Sequence, residues 1–171
     1  MMDEAEIIFD IQGAMGLVTL NRPKALNAVT HDMVRQLWAQ LHAWENDARV
    51  AHVVVRASGD RAFSAGGDIR VIYDAIREGR QSEVIEFWRE EYRLNHYIKH
   101  YPKPYISFID GIVMGGGVGV CVHGSHRIAG DKFLFAMPEV GIGFSPMSAR
   151  HISCRACPAR SAHGVRSPAT G

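Results

Sequence analysis

The sequence predicts a layered α/β fold, and three segments in its first third carry that prediction. Residues 16–20 are strand-like and apolar, and residues 31–46 repeat apolar side chains at helical spacing. Residues 50–55 form a valine-rich run, which is typical of a strand buried on both faces of a sheet. A strand, a helix and a second buried strand in this order indicate that helices pack on a sheet.

Length and composition indicate one ordinary globular domain. The chain has 171 residues, of which 47% are hydrophobic and 22% are charged, enough for a domain with its own core. The net charge of +1 favours neither a nucleic acid nor a membrane as partner. The acidic N-terminal residues lack the layout of a signal peptide. Three cysteines fit a reducing compartment better than a disulfide framework, so we expect a cytoplasmic protein.

The rest of the chain continues the alternation of strands and helices. Thr30 is positioned to cap the first helix, and Ser82 is expected to cap a second long helix. The other expected elements are a strand at 7–11, a loop at 58–68, a helix at 69–77, a buried strand block at 106–113 and short strands at 127–129 and 133–135.

Two glycine-rich turns, at 66–67 and 115–117, each precede a segment with helical character. Their spacing matches neither the G-x-G-x-x-G dinucleotide motif nor the G-K-[ST] ending of a phosphate-binding loop. Free backbone N–H groups from two separate turns are what an oxyanion hole requires. The alternative is that these glycines serve only the close packing of the backbone.

Glu139 is a lone carboxylate in an apolar neighbourhood, and burial there would raise its pKa and suit it to acid–base chemistry. The alternative is a loop side chain that points to water. Glu90 and Glu91, within the second long helix, are predicted to lie on a solvated face. The scattered histidines show no metal-binding spacing, so no metal site is predicted.

Four motifs follow one another along the chain. They are Asn-Arg-Pro-Lys-Ala-Leu-Asn-Ala at 21–28, Ala-Phe-Ser-Ala-Gly-Gly-Asp-Ile-Arg at 62–70, Met-Gly-Gly-Gly-Val-Gly at 114–119 and Met-Pro-Glu at 137–139. Their order and spacing resemble those of the crotonase, or enoyl-CoA hydratase/isomerase, family from about residue 6 to residue 144. The resemblance implies the ββα spiral core of the ClpP/crotonase fold and an acyl-CoA thioester substrate. It implies no cofactor beyond the CoA that the substrate carries.

The resemblance also implies roles for individual residues. The carbonyl oxygen of the thioester would lie between the backbone N–H groups of Gly67 and Gly116. The implied CoA-binding residues are Lys24, Ala25 and Leu26 in the first motif, and Ala65, Gly66, Asp68 and Ile69 in the second.

Within the family, the segments at 66–70, 87–92, 114–124 and 135–139 resemble those of the 3-hydroxyisobutyryl-CoA hydrolases, which are thioesterases of valine degradation. In that branch the residue matching Glu91 contacts the substrate, and the residue matching Glu139 is the catalytic carboxylate. A hydratase would carry a glutamate at the position of Gly119. The alternatives that remain are a hydratase or isomerase of the same family and a non-catalytic protein that binds CoA.

The likeness ends after residue 144, so we expect a partial acyl-CoA-binding domain at 1–144 and an irregular tail at 145–171. Met147 stands where the hydrolase branch has an aspartate. One base added before the codon of residue 145, with permitted codons, gives Phe-Pro-Asp-Val-Gly-Ala-Thr-Tyr-Phe-Leu-Pro-Arg-Leu. That sequence resembles the family's continuation, so the tail is interpreted as a frame-shift product.

This interpretation has consequences for activity. The C-terminal helical region of the family would be missing. The apolar surface against which that region packs would then be exposed. We therefore expect the chain to be weakly active or inactive. Full-length family members form homo-oligomers, and this chain would not be expected to form them. Cys154 and Cys157 form a lone C-x-x-C, which is weak support for a redox or zinc protein.

Overall fold

Strands and helices alternate along residues 5–137, the part of the chain that this computed structural model describes. The eight strands are β1 (Ile7–Gln12), β2 (Met15–Leu20), β3 (His52–Ala57), β4 (Ala62–Ser64), β5 (Tyr105–Ile109), β6 (Ile112–Met114), β7 (His126–Ala129) and β8 (Leu134–Ala136). The four α-helices are α1 (His31–Glu45), α2 (Ile69–Arg77), α3 (Gln81–Lys99) and α4 (Gly115–Val122), and a short 3-10 turn covers Pro23–Ala25.

The strands form two sheets. The larger sheet has the order β1-β2-β3-β5-β7, in which only the β1–β2 hairpin is antiparallel. The smaller sheet is parallel and has the order β4-β6-β8. β3 and β4 follow each other in the chain and lie in different sheets, and so do β5 and β6. A helix follows each of these two units. This repeat is the ββα spiral that the resemblance implied.

Helix α1 forms as the sequence predicts. The Thr30 hydroxyl accepts a hydrogen bond from the Met33 N–H at 3.2 Å and caps the helix. The apolar stripe of α1 is buried against the β1–β2 hairpin and α3, and Trp44 meets Phe9 edge-on. The buried stripe consists of Met33, Val34, Leu37, Leu41 and Trp44. Burial of this stripe is the main apolar contribution of α1 to the core.

Three local predictions are wrong. The block expected at 106–113 is two strands in different sheets, separated by Gly111. Gly111 has φ +75°, and a β-carbon there would lie 2.5 Å from the Arg61 carbonyl oxygen, so only glycine fits this corner. The loop expected at 58–68 contains β4, and Arg80 rather than Ser82 precedes the first turn of α3, without a side-chain cap.

One end of both sheets is poorly covered. Phe108 of β5 lies opposite Ile128 of β7, and both side chains are half-exposed, as are Leu134 and Phe135 of β8. A group of large apolar side chains in this state is uncommon on a protein surface. Among the helices of residues 5–137, none is long and apolar enough to cross a membrane.

Candidate active site

The first predicted CoA-contacting segment is fixed by a buried asparagine. Asn27 has φ +53°, and its amide donates to the carbonyl oxygens of Ser58 and Ala62, both at 2.9 Å. Its side-chain oxygen accepts a hydrogen bond from the Arg22 N–H at 2.8 Å. These bonds hold the turn at 24–26 against the start of β4, with Lys24 and Ala25 exposed to solvent. Asn27 lies within the first motif but was not among the residues predicted to have a role.

The second predicted CoA-contacting segment lies beside the first. The Ala65 N–H donates to the Leu26 carbonyl oxygen at 2.9 Å, and the Val29 N–H donates to the Gly66 carbonyl oxygen at 2.7 Å. The Asp68 carboxylate caps α2 and accepts a charge-assisted hydrogen bond from Arg22 at 3.0 Å. Two segments some forty positions apart in the sequence thus form one surface, with Ile69 exposed beside it.

The two glycine-rich turns meet at the start of α4. Gly66 has φ +104°, and a β-carbon placed on it would lie 3.5 Å from the Gly116 nitrogen. A β-carbon placed on Gly116 would lie 3.3 Å from the Gly67 nitrogen. Side chains are absent on both sides, so the backbone amides of Gly67 and Gly116 are neighbours.

These amides are available as donors. Gly116 lies in the first turn of α4, where N–H groups have no acceptor within the helix, and Met114 before it provides no side-chain cap. Within residues 5–137, no protein group accepts a hydrogen bond from the Gly67 N–H. The positive end of the α4 dipole lies at the turn that contains Gly116. The arrangement has the donors and the field that a developing oxyanion requires.

Glu91 is buried, so the prediction that it faces solvent is wrong. The side chain is 5% exposed, and within the described part of the chain its Oε1 has no hydrogen-bond partner. A β-carbon on Gly116 would collide with this oxygen, which places the carboxyl group beside the glycine turn. Burial raises the pKa of Glu91 from 4.5 to about 7.

Glu90, its neighbour, behaves as a surface carboxylate. It pairs with Arg35 and with His31, both at 2.7 Å. The hydrogen bond from Arg35 is the main reason that the pKa of Glu90 is lowered. The contrast between two adjacent glutamates follows from helical geometry, because Glu91 continues the buried stripe of Phe87 and Leu94 on α3.

Asn95 is a buried polar residue that the sequence analysis missed. It is 4% exposed, and neither atom of its amide has a hydrogen-bond partner among the described residues. It lies one helical turn after Glu91 on the same face of α3, and this spacing was the available signal. Both residues pack toward α4, Glu91 at Gly116 and Asn95 at Gly119.

Other predicted features lie elsewhere or outside residues 5–137. Glu139, Met147, Cys154, Cys157 and the expected domain boundary after residue 144 fall outside the described residues. No group of three His, Cys, Asp or Glu side chains in residues 5–137 is arranged to hold a metal ion.

The chain is similar to one protein family over most of its length. The model of the enoyl-CoA hydratase/isomerase family matches residues 15–159. A Danio rerio protein named "3-hydroxyisobutyryl-CoA hydrolase, mitochondrial" is 50% identical over 142 residues, which are 83% of this chain and 37% of that protein. The Homo sapiens protein of the same name is 48% identical over 141 residues, 82% of this chain and 36% of that protein. The chain spans little more than a third of the length of these relatives.

Solved structures give the same fold. An enoyl-CoA hydratase from Rhodobacter sphaeroides 2.4.1 aligns with a TM-score of 0.82 and 41% identity, covering 85% of this chain and 43% of that one. A carnitinyl-CoA dehydratase from Mycobacterium thermoresistibile aligns with the same TM-score and 49% identity, covering 85% of this chain and 43% of that one. The α/β fold of the crotonase type and the family resemblance are therefore confirmed.

The predicted location is wrong. A cytoplasmic protein was expected from the N-terminal composition and the cysteine count, but the vertebrate relatives are named as mitochondrial. Neither composition nor cysteine count distinguishes these two compartments, since both keep thiols largely reduced.

Proposed function

The chain belongs to the enoyl-CoA hydratase/isomerase family, and we propose that it acts on acyl-CoA thioesters as a hydrolase of the 3-hydroxyisobutyryl-CoA type. The observation that carries this proposal is the meeting of the Gly67 and Gly116 amides beside the buried Glu91 carboxyl. The names of the relatives support the acyl group and a place in valine degradation. We propose no cofactor beyond the CoA of the substrate.

In the proposed reaction, the thioester carbonyl oxygen accepts hydrogen bonds from the Gly67 and Gly116 N–H groups. Negative charge grows on this oxygen when the carbonyl carbon is attacked, so both bonds strengthen in the transition state. One such donor typically lowers the barrier by roughly 3–4 kcal/mol. The oxyanion then collapses, the carbon–sulfur bond breaks and CoA leaves as the thiolate.

The attacking group in this proposal is Glu139, either directly or by activating a water molecule. Direct attack forms a mixed anhydride, which water then hydrolyses to the free acid and the Glu139 carboxylate. Glu91 is proposed as a substrate contact. The absence of an aspartate at Met147 and the proposed frame shift support a weakened activity for this chain.

The CoA portion is proposed to lie over the surface formed by the two joined segments. Its members are Lys24, Ala25, Leu26, Ala65, Gly66, Asp68 and Ile69. Exposure of Lys24 supports this placement, because an ammonium group there is free to pair with CoA phosphates. The hydrogen bond from Ala65 to Leu26 keeps the two halves of the surface in register.

The test is thiol release from 3-hydroxyisobutyryl-CoA by the purified chain, followed with a thiol reagent. Glu139→Gln is expected to lower the rate about 100-fold or more, because it removes the proposed nucleophile or base. Glu86→Gln is the matched control, since this glutamate is partly exposed and, within residues 5–137, forms an ion pair with Arg89 alone. Equal rates for the unmodified chain and Glu139→Gln would contradict the proposal.

Two other outcomes identify the alternatives. Hydration of crotonyl-CoA without release of thiol would favour a hydratase, the activity named for the Rhodobacter sphaeroides relative. Binding of CoA thioesters without turnover by any variant would favour a non-catalytic CoA-binding protein. Gly119 argues against the first alternative, because a hydratase of this family is expected to carry a glutamate there.

A further inference from the structure

Two buried polar side chains of α3 face two glycines of α4. Glu91 lies against Gly116, and a β-carbon on Gly119 would lie 2.7 Å from the side-chain oxygen of Asn95. Two residues four positions apart on α3 therefore contact two residues three positions apart on α4. The Asn95 amide fills the space that the missing side chain of Gly119 leaves.

The Asn95 amide is buried with its hydrogen-bonding capacity unused. It offers two donors on Nδ2 and an acceptor on Oδ1, and none of them is paired within residues 5–137. Buried amides in native proteins are nearly always hydrogen-bonded, because an unpaired one is costly. Glu91 Oε1, one turn away, is unpaired as well. Two such groups side by side are what a polar ligand group entering between the helices would satisfy.

The distance from the Gly67 and Gly116 amides to Asn95 indicates which chemical group of a ligand could reach Asn95. Gly119 is three residues beyond Gly116, about 4.5 Å along the helix axis. In an acyl thioester, the carbonyl oxygen and a hydroxyl oxygen on the third carbon are a similar distance apart. A thioester whose carbonyl oxygen is held at Gly67 and Gly116, and whose acyl chain runs along α4, would place such a hydroxyl group at the level of Asn95.

We propose that Asn95 is a specificity-determining residue that binds the hydroxyl group of a 3-hydroxyacyl thioester. Its Nδ2 donates to the hydroxyl oxygen, and the hydroxyl hydrogen is donated to Asn95 Oδ1 or to Glu91 Oε1. Both hydrogen-bonding roles of a hydroxyl are thus met by groups that are otherwise unpaired. The inference rests on the proposed function, because it requires an acyl-CoA to occupy this site.

The experiment measures binding of two stable ligands by titration calorimetry. They are the ketone analogues of 3-hydroxyisobutyryl-CoA and isobutyryl-CoA in which CH2 replaces the thioester sulfur, so that no turnover interferes. The unmodified chain is expected to bind the hydroxylated analogue about tenfold more tightly. Asn95→Leu, which is similar in size but cannot hydrogen-bond, is expected to bring this ratio to about one.

Two further variants make the result specific. His96→Ala changes an exposed neighbour on the same helix and is expected to leave the ratio unchanged. Asn95→Ser keeps a smaller hydrogen-bonding group and is expected to retain part of the preference for the hydroxylated analogue. It also provides the ratio of the two affinities if Asn95→Leu does not fold. The unliganded Asn95→Leu protein is expected to melt no lower than the unmodified chain, because the change removes an unpaired buried amide.

The outcomes separate the inference from the proposed function. If Asn95→Leu and Asn95→Ser weaken both analogues equally, Asn95 has only a structural role and the inference is wrong while the proposed function stands. If the unmodified chain binds neither analogue, the proposed function is wrong and the inference falls with it. A tenfold ratio that persists in Asn95→Leu also overturns the inference.

Discussion

The core beneath α1 and the space between α3 and α4 are both inaccessible to solvent, but the first buries apolar side chains and the second buries polar ones. Leu37 and Leu41 of α1 are packed by apolar neighbours in the main core. Glu91 and Asn95 of α3 are nearly as inaccessible, yet their polar atoms have no partners in residues 5–137. Burial of the first kind stabilises the fold, whereas burial of the second kind costs stability.

This difference in hydrogen bonding is what makes the region between α3 and α4 the candidate site. An α3 made only for stability would carry leucine at both polar positions, since replacing unpaired polar groups by apolar ones is neutral or stabilising. Strain and unpaired groups that persist in a native structure cluster at binding and catalytic sites. Whether the polar atoms of a buried residue have hydrogen-bond partners therefore distinguishes a binding site from the apolar core better than the exposed fraction of the residue does.

The largest effect is expected in the apolar core. Leu41 is fully buried, and Leu41→Ala should lower the free energy of unfolding by about 2–5 kcal/mol because it removes packed methyl groups and leaves a cavity. Urea denaturation measures the change. Ala43→Ser, at an exposed position of the same helix, is the control and should change stability by less than about 0.5 kcal/mol. A small effect of Leu41→Ala would show that this region is not the main core.

The next effect is a pH dependence that comes from Glu91. Its pKa in the folded state, about 7, is above the ordinary value of 4.5, so the folded protein holds the proton more tightly than the unfolded chain does. Stability from this group is complete below about pH 4.5 and is lost as the pH rises toward 7, by roughly 3 kcal/mol in total.

Glu91→Gln, which cannot titrate, isolates this contribution. The difference in unfolding free energy between the unmodified chain and the variant should change across pH 4.5 to 7 and be constant above pH 8. Chemical denaturation at a series of pH values measures it. A difference that does not vary with pH would mean that Glu91 is solvated, which would remove the contrast between the two regions.

A smaller effect is expected from a matched pair of glycine substitutions. A β-carbon on Gly116 would collide with Glu91 Oε1, so Gly116→Ala should cost about 1–3 kcal/mol and weaken acyl-CoA binding. A β-carbon on Gly67 would meet the side chains of Phe87 and Ile72 at ordinary contact distances of 3.6 and 3.8 Å, so Gly67→Ala should be nearly neutral for stability. Denaturation midpoints of the two variants provide the comparison. Equal costs would place Glu91 away from the glycine turn.

The smallest effect is a coupling between α3 and α4. Gly119→Ala should destabilise the chain because its methyl group would meet the Asn95 amide. In Gly119→Ala combined with Asn95→Ala that amide is gone, so the two changes together should cost about 1 kcal/mol less than their sum. A double-mutant cycle from denaturation data gives the coupling. Strict additivity would contradict the packing of Asn95 against Gly119.

The sequence was sufficient where structure follows from neighbouring residues. Helix α1 was predicted because Thr30 caps it and its apolar stripe has helical spacing, and α2 was predicted with the bounds that the structure has. It was insufficient for β4, because three residues are too few to show a period, and for the division at Gly111, which depends on contact with a distant carbonyl.

The candidate site shows the same limit more clearly. Glycine content alone placed a donor at each turn, but the pairing of Gly67 with Gly116 came from the family resemblance. As one of two adjacent glutamates, Glu91 was expected to be solvated, although its spacing from Phe87 put it on the buried stripe of α3. Only the family resemblance implied that it contacts the substrate. The spacing of Asn95 from Glu91 indicated only a shared face of α3, and its contact with Gly119 became visible once α4 was packed against that face.

The most direct test of the account is the carbonyl stretching frequency of a bound acyl-CoA. Isotope-edited infrared spectroscopy of the ketone analogue of 3-hydroxyisobutyryl-CoA, labelled with carbon-13 at the carbonyl, reports the hydrogen bonds that its oxygen accepts. Two amide donors at a helix start should polarise the carbonyl more than water does, so we predict a lower frequency in the complex than in solution. A frequency equal to or above the solution value would show that Gly67 and Gly116 do not hold this oxygen.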